Sequence, residues 1–131
     1  MHIIIEKIDR LMRGSLWLLT TFYCVAGLNH FIMPEFYYGL IPPWLPSAYS
    51  INIIAGIAEI ILGLSMLYSG LRVYARWGII LMLIAFIPAH IYFIQIGACV
   101  PGGLCVPMWI AWLRLIVIHP LLMLWVWRVA R

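Results

Sequence analysis

Five ionisable side chains lie inside otherwise apolar runs of this sequence: His30, Glu59, His90, Arg114 and His119. A charged side chain at the centre of a membrane span costs about 2.5–3.5 kcal/mol on insertion scales, so such groups face a protein interior and take partners there. Gathered together, a carboxylate, imidazoles and a guanidinium are the parts of a proton-handling site. Imidazole changes charge near neutral pH. A carboxylate relays protons, and a guanidinium holds that carboxylate ionised or stabilises a negative oxygen on a ligand. Glu59 and Arg114 are the expected pair, and breaking a buried pair typically costs about 3–5 kcal/mol. His30 and His90 are close enough in depth to join them, with Asn29 and His119 as secondary members.

Each residue also has a plainer role. A Glu59–Arg114 pair can simply fix helix order and register, and Arg114 can snorkel to the outer interface. His30 can anchor the link that follows it. His119 can stabilise a kink, because Pro120 leaves the carbonyl of Ile116 without its helical donor, and Pro88 does the same to Ile84 just inside His90.

The elements that must carry these groups are four apolar segments, 15–33, 51–68, 77–96 and 109–127. A helix needs about 20 residues to cross roughly 30 Å of hydrocarbon. With 66% hydrophobic and 9% charged residues, the chain lies far from the soluble norm of about 45–50% and 25%. The expected fold is all-α: a single domain over 1–131 forming a polytopic, antiparallel bundle of four transmembrane helices. Counted at about 1.5 Å per residue from the predicted outer boundaries, the ionisable cluster falls about 5–15 Å deep, in the outer half.

Basic residues orient the bundle. Lys7, Arg10 and Arg13 precede the first segment, Arg72 and Arg76 join the second to the third, and Arg128 and Arg131 follow the fourth. The links 34–50 and 97–108 contain none. This positive-inside pattern predicts a multi-pass cell-membrane protein with both termini cytoplasmic. The net charge of +4 is then juxtamembrane and answers to anionic lipid, not to nucleic acid. Glu6 and Asp9 in the basic leader, and an apolar run continuing to Ile32, argue against a cleaved signal peptide. Ile4, Ile8, Leu11 and Met12 recur at helical spacing between basic residues, the pattern of a short interfacial helix lying on the inner leaflet or leading into the first span.

Small residues mark where helices meet in lipid: Thr20, Cys24 and Gly27 in the first segment, Gly56 and Gly63 flanking Glu59 in the second, and Gly78, Ala85 and Ala89 in the third. The link 34–50 is rich in proline and aromatics and almost uncharged, so a free aqueous loop would expose a large apolar patch. It is expected to fold as a lid, with Phe36, Tyr37, Tyr38 or Trp44 directed towards the bundle. In the second outer link Cys99 and Cys105 flank a Pro-Gly-Gly turn and can be a structural disulfide, free thiols or a redox relay, the last unsupported by a spacing that is not C-x-x-C. Cys24 reads as a packing residue. No metal site is expected. Haem needs two imidazoles at matched depth and a second apolar pocket, for which a bundle this small has little room.

Several of these residues together resemble a known membrane family. Gly27-Leu28-Asn29-His30-Phe31 with Pro34, then Ile41-Pro42 and Leu45-Pro46, Gly56-Ile57-Ala58-Glu59, Pro88-Ala89-His90, and Trp112-Leu113-Arg114 look like the DoxX-like family, in an order running from about Gly14 to Trp127. The resemblance implies a small four-helix membrane protein. Its namesakes are associated with quinol oxidase and thiosulfate:quinone oxidoreductase, other members with membrane redox homeostasis, and distant relatives with assembly of other membrane proteins. It supplies no catalytic residues, and Ile116–Pro120 departs from the pattern many relatives show beside the arginine.

Three functions compete. In the first, a quinone-linked redox subunit uses His30 or His90 to hydrogen-bond a quinone carbonyl, Glu59 to relay protons and Arg114 to steady charge, working beside another membrane or redox subunit. In the second, a non-enzymatic assembly or interaction subunit uses its buried charges only to specify the bundle. A small-solute transporter is third, without the inverted repeat that would support it.

Overall fold

Apolar runs of this length satisfy their backbone groups internally as helices, and the computed structural model, which describes Met1–Arg131 throughout, is helical with no strands. The elements are α1 (His2–Ile32), α2 (Pro34–Tyr38), α3 (Ala48–Ser65), α4 (Arg72–Ala85), α5 (Ile87–Gln95), α6 (Met108–Leu113), a π-helical turn (Arg114–Ile118) and α7 (His119–Val129). Four stretches are long and apolar enough to cross a membrane: His2–Ile32, Ala48–Ser65, Arg72–Gln95 and Met108–Val129.

The first helix is longer than the predicted span. Nothing between Ile3 and Leu16 breaks a helix, so the amphipathic leader continues into the apolar run as one helix of 31 residues. Its first thirteen residues, His2–Gly14, are exposed, and packing begins at Leu16.

Two prolines shape the third and fourth spans. Pro88 cannot donate, and the third helix breaks at Phe86, between α4 and α5. Pro120 has the same effect, and the turn before it widens: the N–H of His119 bonds the carbonyl of Arg114, five residues back. Such π turns add a residue to one helical turn. Here the widened turn brings Arg114, Ile118, His119 and Leu122 to the wall of one cavity.

α1 and α3 approach most closely. Leu16, Leu19, Thr20, Tyr23, Gly27 and His30 are buried along α1, facing Asn52, Gly56, Glu59 and Gly63 along α3. A Cβ on Gly27 would lie 2.7 Å from the Gly56 carbonyl oxygen, and one on Gly56 would lie 2.8 Å from His30 Cβ. Thr20 Oγ1 donates to the Gly63 carbonyl at 3.0 Å. The Gly56–Glu59–Gly63 face is as expected. On α1, Tyr23 replaces Cys24 as the buried member, since Cys24 is only half-buried. In the third span Gly78 meets Leu62, whereas Ala85 and Ala89 border a cavity and the packed positions are Ala75, Ile79, Met82 and Leu83.

One apolar core joins Leu19, Tyr23, Met66, Ile79 and Val126, with Ala75 and Ala130. A second, smaller core of Phe93, Ala98 and Ala111 gathers Leu40, Val100 and Leu104 around it. α4 packs on α3 and on α7, and α7 also reaches α1. At the ends of α4 and α7, Trp77 and Trp127 meet edge to face at 5.4 Å, and the Arg76 guanidinium lies 4.2 Å above the Trp127 ring.

Candidate functional site

A cavity of about 360 Å3 opens between the helices, bordered by His30, Glu59, His90, Arg114 and His119. Every ionisable residue that the sequence places inside the spans therefore reaches one chamber. Most of the wall is apolar, with Phe22, Phe86 and Leu122 among its members, and the link after α1 supplies Tyr37, Leu40, Ile41, Pro42 and Leu45.

The arrangement around His30 is the most constrained. Asn52 Nδ2 donates to the His30 carbonyl at 2.9 Å, which turns its Oδ1 towards the ring, 2.6 Å from His30 Nδ1. An amide oxygen only accepts, so Nδ1 carries a proton. The other ring nitrogen, Nε2, then faces Glu59 Oε2 at 3.3 Å. The contact is a charge pair when the imidazole is protonated opposite an ionised Glu59, and it leaves Oε2 without an aligned hydrogen-bond donor. The ring of Tyr37 stacks on His30 at 3.7 Å, and its hydroxyl accepts from Asn29 Nδ2 at 2.8 Å.

Glu59 thus takes a histidine as its partner, and the expected Glu59–Arg114 ion pair does not form. The His30–Glu59 contact is the one ion pair within 4.0 Å in the chain. The physical reason is packing: Gly27 and Gly56 bring α1 against α3, so the His30 ring reaches Glu59 directly. Arg114 stands on the cavity wall from the fourth span with no ion-pair or hydrogen-bond partner in the protein.

His90 and His119 form a second grouping, their rings edge to face at 4.9 Å. His119 is buried and its Nε2 donates to the Leu83 carbonyl. That carbonyl lies beside the helix break at Phe86, so His119 ties the two proline-induced irregularities together. The carbonyl His119 bonds is not one that a proline frees, so its bond crosses to the neighbouring helix instead of capping the kink on its own. His90 has no protein hydrogen-bond partner.

Two polar atoms on the cavity wall are buried and unsatisfied: the hydroxyl of Tyr23, 2% exposed, and Oε2 of Glu59, 6% exposed. The 3.3 Å contact to His30 is too poorly aligned to count as a hydrogen bond for Oε2. A buried group without a partner costs about 1–3 kcal/mol, so these atoms mark where a ligand or water belongs. Tyr23 and Asn52 were not among the residues singled out from the sequence. Both were within reach of helical spacing, since Asn52 lies four residues before Gly56 and Tyr23 lies seven before His30.

The lid expectation is met by different side chains from some of those named. Tyr37 turns inwards with Leu40 and Ile41, and Pro42 is fully buried. Trp44 points outwards, 68% exposed. Cys99 and Cys105 form a disulfide. No group of three or more His, Cys, Asp or Glu side chains converges on a position suited to a metal ion.

No curated protein and no solved structure matches the chain. Residues 19–130 match the family model described as "Domain of unknown function (DUF8561)", a range that contains every residue of the cavity, and the chain belongs to that family.

Proposed function

We propose that this protein is a multi-pass membrane protein whose four spans form an antiparallel bundle with both termini cytoplasmic, and that its cavity binds the head group of a quinone. The single observation that carries the ligand reading is the pair of orphaned polar atoms, Tyr23 Oη and Glu59 Oε2, on the wall of a largely apolar chamber. Ligand sites are usually apolar clefts of about 300–1,000 Å3 with a few convergent polar groups. A quinone ring is flat and apolar with carbonyl oxygens at its edge. The Tyr23 hydroxyl donates to one such oxygen, and the His30 imidazole or a protonated Glu59 carboxyl supplies a proton to an oxygen that gains charge on reduction. Arg114, having no counter-charge in the protein, stabilises a partial negative charge on the ligand. Electrons come from a partner redox subunit. The DoxX-like resemblance and the basic residues at one end of the spans support the same placement.

The bonds from His30 to Asn52 and from His119 to the Leu83 carbonyl favour a second reading, an assembly or interaction subunit with structural polar groups. Purification in mild detergent, lipid extraction and mass spectrometry separate the two. The proposal expects a quinone at near-stoichiometric amount; its absence from protein isolated from quinone-replete membranes favours the structural reading.

A further inference from the structure

The Cys99–Cys105 disulfide closes a small loop between α5 and α6, and that loop touches the lid. The two cysteines form an antiparallel bridge, reinforced by Val100 N–H to the Leu104 carbonyl at 2.8 Å and Val106 N–H to the Ala98 carbonyl at 3.0 Å. Ala98, fully buried, holds a φ of 57°, a left-handed conformation that a non-glycine residue adopts only when its surroundings impose it. The ring displays Val100 against Gly39, where even a Cβ would collide with the valine side chain. Leu40 packs with Val100, Ala98 and Phe93 in one apolar cluster. Leu40 and Phe93 also border the cavity. The disulfide loop, the lid and the cavity wall are therefore one packed unit. Both cysteines are exposed, so a reductant can reach them.

We infer that Cys99–Cys105 is a reducible strap on the lid: reduction by a dithiol releases Val100 from Gly39 and Leu40 and opens the cavity. The exchange is balanced, since two thiols of the reductant become its disulfide while Cys99 and Cys105 each gain a proton and share the electron pair. A disulfide limits the chain's alternatives chiefly through the open state, so its loss weakens the loop without altering the α1–α3 contact. The inference gives the quinone reading a means of control, yet rests for its test only on the lid.

The test is amide hydrogen exchange of the intact protein in detergent, oxidised and after treatment with dithiothreitol and alkylation. The amides of Leu40 and Ile41, which donate to Tyr37 and Tyr38 within the lid, are expected to exchange at least about tenfold faster when reduced, equivalent to about 1.4 kcal/mol. Amides of Leu19 and Ile79 in the main core are expected to be unchanged. The double variant Cys99→Ala/Cys105→Ala, without reductant, is expected to behave like the reduced protein. Unchanged exchange at Leu40 and Ile41, or faster exchange throughout the chain, overturns the inference. So does a disulfide that resists dithiothreitol in the folded protein. Because no ligand is needed, failure here is distinct from failure to find a quinone.

Discussion

His30 Nε2 lies 3.3 Å from Glu59 Oε2 while the other nitrogen of the same ring is committed to Asn52. The ring cannot rotate away without losing Asn52, so Nε2 is held beside the carboxyl, its nearest polar neighbour. Glu59→Gln is then a mild change, because its amide N–H donates to Nε2; thermal unfolding in detergent should show a loss within about 1 kcal/mol. Glu59→Leu removes every partner of Nε2 and should cost about 1–3 kcal/mol. Equal losses for the two variants would show that the carboxyl beside Nε2 contributes nothing to stability.

The approach of α1 to α3 makes a glycine prediction with an internal control. Gly27→Ala places a methyl group 2.7 Å from the Gly56 carbonyl oxygen, and overpacking of this kind typically costs about 1–3 kcal/mol. Gly14→Ala, with nothing within 4 Å of its Cβ, should be neutral or stabilising by about 0.5–1 kcal/mol through helix propensity. The unfolding midpoint should fall for Gly27→Ala and hold or rise for Gly14→Ala.

Arg114 has no protein partner to lose. Arg114→Gln should therefore unfold within about 0.5 kcal/mol of the parent, yet bind a quinone analogue more weakly. A large loss of stability would mean that the guanidinium has a structural partner after all.

Orientation is testable by labelling single cysteines introduced on a background lacking Cys24, Cys99 and Cys105. A cysteine at Ser69, in the turn before Arg72, should react with a membrane-impermeant maleimide only from the cytoplasmic side, and one at the exposed Trp44 only from the other side. The reverse result would overturn the positive-inside reading.

Helix number and the Glu59 face were legible in the sequence, because apolar length and glycine spacing are local properties. All five ionisable residues border one cavity, although Arg114 is also exposed, because in lipid a charge is costly away from a polar interior. The partner of Glu59 was not legible. Depth along a helix does not tell which neighbour is nearest, and the Gly27–Gly56 contact, a tertiary event, gave Glu59 to His30 instead of Arg114. The π turn at Arg114–Ile118 escaped for a related reason. Pro120 announces a broken hydrogen bond but not whether the helix kinks or widens. Tyr23 and Asn52 were hidden in plain spacing: one polar atom per apolar turn acquires meaning only when its partner, or its lack of one, is seen.

The central claim is that the orphaned atoms of the cavity meet a quinone head group, and Tyr23→Phe tests it most directly. The Tyr23 hydroxyl has no protein partner, so its removal should leave the ligand-free protein as stable as before, or more so. Titration of the purified protein with a short-tailed benzoquinone, followed by tryptophan fluorescence, should show saturable binding by the parent and about tenfold weaker binding by Tyr23→Phe, the worth of one hydrogen bond of about 1.4 kcal/mol. No saturable binding by the parent, or equal affinity in the two proteins, would contradict the account.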